Sequence, residues 1–180
     1  MLPIKKGFEA DIDYDYQRLY VSGMMKLISQ MLKAGSQVDD VIKAEVAEMP
    51  EGFVFRMAVT PGTLKLTMKK QDGRLVDLPA DYTGKPDLTM TFKHVTFAFL
   101  VFSFQEHTAQ AYANERIILD GNVPMSMKVV RSLNRLQTVI LPKIVAKKAV
   151  KTYPDLALVQ KLQVTTKTYG QFLLNLVKER

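Results

Sequence analysis

The sequence predicts an α+β fold in which helices cover a mostly antiparallel sheet of about five strands. Apolar and polar residues alternate in several short runs between residues 53 and 93, which is the pattern of half-buried strands. The pairs Pro61-Gly62 and Asp72-Gly73 separate neighbouring runs and are typical of turns. Helical spacing dominates on both sides of this group, so strands and helices do not alternate as in a doubly wound parallel sheet.

Two helices are predicted before the strands. Residues 1–14 show no periodicity and are expected to be irregular. From Tyr16 onward apolar residues recur at helical spacing, and Gly35 has the position typical of a glycine that ends a helix. Ser36, a good N-cap residue, is expected to begin a second helix that runs towards Met49.

Four strands are predicted next, and three of them have apolar residues at every second position, while the third in order, residues 74–78, is bounded by the Asp72-Gly73 turn and Pro79. Glycine, proline and polar residues separate them and supply the turns. The predicted strands cover residues 53–58, 64–69, 74–78 and 88–93.

Helical periodicity then returns and is interrupted by one further strand. Residues 94–104 and 108–114 predict helices, and residues 116–120 predict a short strand. Gly121-Asn122 is a predicted turn. An amphipathic helix is expected from there until Pro142 interrupts it.

The C-terminal part is predicted to form two or three short helices, broken once at Pro154. We therefore divide the chain into a domain of residues 1–142, with N-terminal helices, and a basic amphipathic helical extension of residues 143–180. The extension is expected to pack on or beside the domain. One apolar face of the extension is marked by Leu162, Tyr169, Leu173 and Leu176.

Composition excludes several kinds of site. The chain of 180 residues has no cysteine, so disulfides, zinc–thiolate sites, iron–sulfur clusters and thiol nucleophiles are ruled out. No P-loop and no G-x-G-x-x-G motif occurs, and no metal site or cofactor is predicted. The acidic set before residue 16 lacks the glycine and final glutamate of a calcium loop, and we interpret it as solvated. It comprises Glu9, Asp11, Asp13 and Asp15.

The positive charge of the chain is concentrated near its C-terminus. The formal net charge is +7, and residues 128–180 contain eleven Lys or Arg but two acids. Such a region suits an anionic membrane, a nucleic acid or an acidic partner, although basic side chains also simply solvate helices. The apolar stretch Phe97–Phe104 is far too short to span a bilayer, and no signal peptide is recognised. We expect a cytoplasmic protein that can also bind peripherally at the membrane surface.

An ordered set of segments resembles the SCP2 (sterol carrier protein 2) lipid-binding family. In that family a strand, two helices, a second strand, a glycine turn and a long helix follow one another. The matching segments lie between about residues 50 and 140. They are Pro86–Lys93, Ala109–Asn114, Arg116–Leu119, Asp120-Gly121-Asn122 and Pro124–Lys128.

The resemblance implies a small mixed sheet with helices on one side and an apolar tunnel between them. Family members bind sterols, fatty acyl chains or other hydrophobic molecules, and some bacterial members assist ubiquinone biosynthesis. Ten methionines and nine phenylalanines suit such a pocket, because methionine adapts to irregular shapes, although core packing is the favoured interpretation of any one of these residues taken singly. The candidate pocket residues are Phe97, Leu100, Phe104, Met125, Val129 and Leu133.

Catalysis has little support in the sequence, and we predict that the protein is not an enzyme. Ser103, His107 and Asp120 could be proposed as a triad, but no G-x-S-x-G motif presents the serine. The predicted function is therefore binding and transfer of a hydrophobic ligand, with a fatty acyl, sterol-like or prenyl-quinone-like molecule as the candidate.

Basic residues of the extension are candidates for docking to an anionic membrane. Four lysines recur at about one helical turn among apolar residues, as in helices that lie at a membrane surface. Nucleic acid is the less favoured partner, since few aromatic residues accompany the charges. The alternative function is an interaction module with a filled core that dimerises through its C-terminal helices. The candidate docking residues are Lys143, Lys147, Lys148 and Lys151.

Overall fold

A five-stranded sheet lies at the centre of the fold, as the alternating pattern predicts. The computed structural model describes residues 14–140 and 158–178. All five predicted strands are present, within one or two residues of the predicted bounds. The strands are β1 (Val54–Val59), β2 (Leu64–Gln71), β3 (Arg74–Asp77), β4 (Leu88–Phe92) and β5 (Ile117–Gly121).

The strand order in the sheet is β3-β2-β1-β4-β5, with one parallel pair at its centre. β1 pairs with β4 in parallel, while the β1–β2, β2–β3 and β4–β5 pairs are antiparallel. Asp72 and Gly73 join β2 to β3 with φ angles of 52° and 74°. Positive φ at both central residues defines the tight hairpin turn that the Asp-Gly pair predicts.

Six helices accompany the sheet within the described ranges, and the longest packs along it. This first helix packs against β2, β3 and four of the other five helices. None of the helices described is long and apolar enough to cross a membrane. They are α1 (Tyr14–Val38), α2 (Asp40–Ala47), α3 (Val95–Phe102), α4 (Thr108–Ala113), α5 (Val123–Ile140) and α6 (Leu158–Lys178).

The boundary between α1 and α2 differs from the prediction. Gly35 does not end α1, which continues to Val38, and Asp39 rather than Ser36 caps α2. Gly35 is buried because α2 approaches closely, and a Cβ atom there would lie 2.6 Å from Cδ1 of Ile42. The glycine therefore permits a close helix–helix contact instead of stopping a helix.

Ser36 does not cap α2 and instead connects α1 to the sheet. Its hydroxyl donates to the carbonyl of Lys33 at 2.8 Å and accepts the backbone N–H of Leu75 at 3.0 Å. Leu75 lies on β3, so this buried serine fixes the end of α1 to the edge strand of the sheet.

The core lies between the helices and one face of the sheet. Alternate residues of the central strands, among them Phe55, Met57 and Met90, are almost completely buried there. Lys70 lies on the same face of β2, and its ammonium donates to the carbonyls of Ala47 and Met49 at 3.0 and 2.7 Å. A cation at the end of α2 satisfies carbonyls that the helix itself leaves free.

Candidate functional site

A cavity of about 400 Å³ lies between α1 and the edge of the sheet. β3 pairs with residues 68–71 of β2, so residues 64–67 of β2 extend beyond it and form one wall. The chain that follows β3, including Leu78 and Ala80, closes one side. The short edge strand thus creates the space. Ligand pockets in proteins commonly have volumes of about 300–1,000 Å³, which includes this one.

The wall of this cavity is amphipathic. Met25 of α1 and Leu64 and Leu66 of β2 supply apolar surface. Hydroxyl and ammonium groups also line the space, and they can donate hydrogen bonds to the polar end of a bound molecule. These polar residues include Ser22, Lys26, Ser29, Thr63 and Lys65.

Gln30 and Asp77 form a polar contact at one side of the cavity. The side-chain amide of Gln30 donates to Oδ2 of Asp77 at 3.0 Å. Oε1 of Gln30 is buried and has no hydrogen-bond partner among residues 14–140 and 158–178. Both residues line the cavity.

The candidate pocket residues of α5 lie in the core instead of at this cavity. Val129 and Leu133 are buried in the main core cluster, and Met125 is partly buried against it. None of the three lines the cavity beside α1. Their role as ligand contacts remains a prediction.

The candidate pocket residues at α3 are also separate from the cavity. Phe97 is partly buried, with the guanidinium of Arg116 5.0 Å from its ring centroid. Leu100 is buried, and Phe104 follows the helix with a φ angle of 63°. As with the α5 residues, their role as ligand contacts remains a prediction. The spacing of polar residues on α1 was a sequence signal for the cavity, since Ser22, Lys26 and Ser29 recur at about one helical turn and therefore share one face of the helix.

An aromatic cluster connects α1 to α3. The rings of Tyr20 and Phe99 meet edge to face with centroids 5.2 Å apart, and Tyr16 stacks beside Tyr20. The hydroxyl of Tyr20 donates to the carbonyl of Phe102 at 3.3 Å. Burial raises the pKa of the Tyr20 phenol, and Tyr16 acts in the same direction. The phenol therefore stays neutral and serves packing.

The three residues considered as a triad have other contacts. The hydroxyl of Ser103 donates to the carbonyl of Leu100 at 3.5 Å and accepts a hydrogen bond from Gln105 at 2.8 Å. His107 precedes α4 as its N-cap residue, and Asp120 is exposed on β5. These contacts give Ser103 a structural place at the end of α3, and they do not present it as an activated nucleophile.

Part of the C-terminal positive charge forms ion pairs within the fold. Arg131 of α5 binds Glu45 of α2 at 2.7 Å, and Lys128 binds both Glu45 and Glu48. The hydrogen bond from Lys128 lowers the pKa of Glu48. These basic residues fasten α5 to α2. The candidate docking residues Lys143, Lys147, Lys148 and Lys151 lie outside the described residues.

Comparison with known proteins identifies a family. The model of the SCP-2 sterol transfer family matches residues 18–134. Among solved structures, UbiJ-SCP2, a ubiquinone synthesis protein, shares 15% identity with a TM-score of 0.46, over 67% of this chain and 98% of that chain. Sterol carrier protein domain 2 of Helicoverpa armigera shares 15% identity with a TM-score of 0.42, over 62% and 85% of the two chains. Sterol Carrier Protein 2 Like 2 from Aedes aegypti shares 16% with a TM-score of 0.34, over 54% and 94%. No curated protein matches the chain.

Proposed function

The chain belongs to the SCP-2 sterol transfer family, and we propose that it binds an amphiphilic lipid in the cavity beside α1 and transfers it without catalysing a reaction. The family match over residues 18–134 includes α1 from its second turn, the whole sheet and most of α5. The cavity lies within this region. Its amphipathic wall is the observation that carries the proposal.

The proposed ligand has one apolar chain and a polar head. Met25, Leu64 and Leu66 offer apolar surface to the chain, while Lys26 and Lys65 offer positive charge to an anionic head group. Each methylene removed from water contributes roughly 0.8 kcal/mol, so ten of them contribute about 8 kcal/mol before the costs of association. A fatty acyl chain with a carboxylate or phosphate head fits this pattern, and sterol-like and prenyl-quinone-like ligands are the alternatives to distinguish.

Transfer requires contact with a donor or acceptor surface. Lys143, Lys147, Lys148 and Lys151 supply positive charge that anionic lipid head groups attract. We place the protein in the cytoplasm, at the membrane surface during exchange. This docking role rests on the charge pattern of the sequence.

The first experiment is native mass spectrometry of freshly purified protein, followed by lipid analysis of an organic extract. The proposal expects a stoichiometric hydrophobic species, and its identity separates acyl, sterol-like and quinone-like ligands. A clean apo mass that is unchanged after incubation with a mixture of fatty acid, sterol and prenyl-quinone would contradict lipid binding. It would favour the alternative, an interaction module with a filled core.

A further inference from the structure

Helix α6 buries two polar residues and exposes several large apolar ones. Thr168 and Asn175 are 1% and 7% exposed, whereas Leu173 and Val177 on the other side are 59% and 73% exposed. The surface helix of a monomeric protein shows the opposite distribution. The outer face of α6 therefore has the composition of a buried surface.

The inner face of α6 packs against the rest of the protein. α6 packs along α1, and Phe172 contacts the core. Oγ1 of Thr168 and Nδ2 of Asn175 have no hydrogen-bond partner in the part of the chain that the structure describes. The helix keeps this orientation even though it buries polar atoms, which leaves the outer apolar face in need of a separate partner.

The exposed residues follow the spacing of a coiled coil. Four of them, which we call the outer stripe, are separated by three, four and three positions. The same spacing continues in the sequence back to Leu162 and Val159. The a positions of this heptad are Val159, Thr166 and Leu173, and the d positions are Leu162, Tyr169 and Leu176. Two of the three a residues are β-branched and two of the three d residues are leucine, which is closest to the pattern of parallel two-stranded coiled coils. The outer stripe consists of Thr166, Tyr169, Leu173 and Leu176.

Charge favours a second helix over a membrane as the partner. The chain carries +7, yet all four residues at the e and g positions that directly adjoin the outer stripe are uncharged. Two copies can therefore approach without opposing like charges at the interface. A helix that lies on an anionic membrane carries lysine and arginine on its polar face, whereas the inner polar residues Thr168 and Asn175 of α6 are uncharged and buried in the fold. The flanking residues are Thr165, Gly170, Phe172 and Val177.

We propose that the outer stripe of α6 packs against the outer stripe of a second copy of this chain, as a parallel two-stranded coiled coil. The contact is isologous, so each residue of the stripe meets its counterpart on the other copy. This inference does not rest on lipid binding, since the cavity beside α1 is lined by residues of α1 and of the sheet edge.

Sedimentation equilibrium of the full-length protein tests the association. Leu173→Lys introduces a charge into the centre of the stripe, and we expect the dimer dissociation constant to rise at least about tenfold. Leu174→Lys is the matched control, because Leu174 is similarly exposed at 56% but lies beside the stripe. A wild-type protein that stays monomeric at all concentrations overturns the proposal, and so does an equal effect of both substitutions. A monomer whose binding to anionic vesicles is lost in Leu173→Lys assigns the face to a membrane and also overturns it.

Cross-linking tests the parallel arrangement directly. The chain has no cysteine, so a single introduced thiol can react with the same thiol of another copy and with no other. We expect Leu173→Cys to form a disulfide-linked dimer under mild oxidation, because a positions face each other in a parallel pair. Leu174→Cys serves as the control and should stay largely monomeric. Equal yields from the two variants overturn the parallel pairing.

Discussion

Arg135 on α5 donates to both carboxylate oxygens of Asp39, at 3.3 and 3.0 Å, while Oδ1 of the same carboxylate accepts the backbone N–H groups of Val41 and Ile42. The side chains of Asp39 and Arg135 are 1% and 11% exposed. One carboxylate therefore caps α2 and ties it to α5 at the end of α1.

Replacing this carboxylate should destabilise the protein strongly. Asp39→Asn keeps an acceptor for the two N–H groups but leaves a largely buried guanidinium without its counter-charge, which typically costs about 3–5 kcal/mol. Asp40→Asn is the control, because Asp40 is 95% exposed in its pair with Lys43 and should change stability by less than about 1 kcal/mol. Urea denaturation measures both free energies of unfolding. Equal losses in the free energy of unfolding would show that the buried Asp39–Arg135 pair stabilises the protein no more than the exposed Asp40–Lys43 pair.

The glycine that ends β5 should tolerate no side chain. Gly121 has a φ angle of 103°, and a Cβ atom there would lie 2.1 Å from the carbonyl oxygen of Asp87. We expect Gly121→Ala to cost more than about 2 kcal/mol, since it combines backbone strain with a clash against backbone. Gly23→Ala, in an open position on α1, should instead gain about 0.5–1 kcal/mol from helix propensity. Thermal unfolding of the two variants checks the opposite signs.

Blocking the cavity should reduce lipid uptake without unfolding the protein. Ser22→Trp places a large ring at the cavity wall, and we expect the affinity for a fluorescent fatty acid to fall at least about tenfold. Leu19→Trp puts the same ring one turn earlier on α1, at a side chain that is 74% exposed and outside the cavity. Its binding should match the wild type. If Ser22→Trp binds as well as the control, the ligand lies elsewhere, and the candidate residues of α3 and α5 become the next to test.

Neutralising two docking lysines should weaken binding to anionic vesicles. Each lysine near such a surface contributes about 1 kcal/mol, so Lys147→Gln with Lys148→Gln should lower the partition coefficient at least about tenfold at low salt. Lys85→Gln with Lys93→Gln removes the same charge from exposed positions elsewhere. Vesicle co-sedimentation compares the pairs. Equal weakening would reflect net charge alone and contradict a localised docking site.

The strands were predictable from the sequence because their signal is local. Alternation of apolar residues has a period of two, and the Asp72-Gly73 turn fixes the β2–β3 register, so each strand was found within one or two residues. The boundary between α1 and α2 was not predictable in this way. Gly35 permits contact with Ile42, a tertiary relationship that looks in the sequence like a helix stop.

The cavity was missed for a related reason. It exists because β3 pairs with half of β2, which is a property of register and strand length that no single residue signals. The apolar residues of α3 were predicted to line the pocket because a lipid pocket is expected to be apolar. A strongly apolar run is equally typical of a helix that packs into the hydrophobic core. In α6 the apolar face was visible in the sequence, whereas its direction depended on the packing against α1.

The parallel pairing of β1 with β4 has a consequence for the order of folding. Leu88 of β4 lies beside Phe55 of β1, 33 residues earlier in the chain, while β1, β2 and β3 are joined by short turns. Contacts between distant parts of the chain form late, because closing a long loop costs conformational entropy before it gains any contact. We therefore expect the β1–β2–β3 meander to form first and β4 to dock afterwards. Pulse-labelling hydrogen exchange during refolding should show amides of β4 protected later than those of β2, and simultaneous protection would argue for a single concerted step.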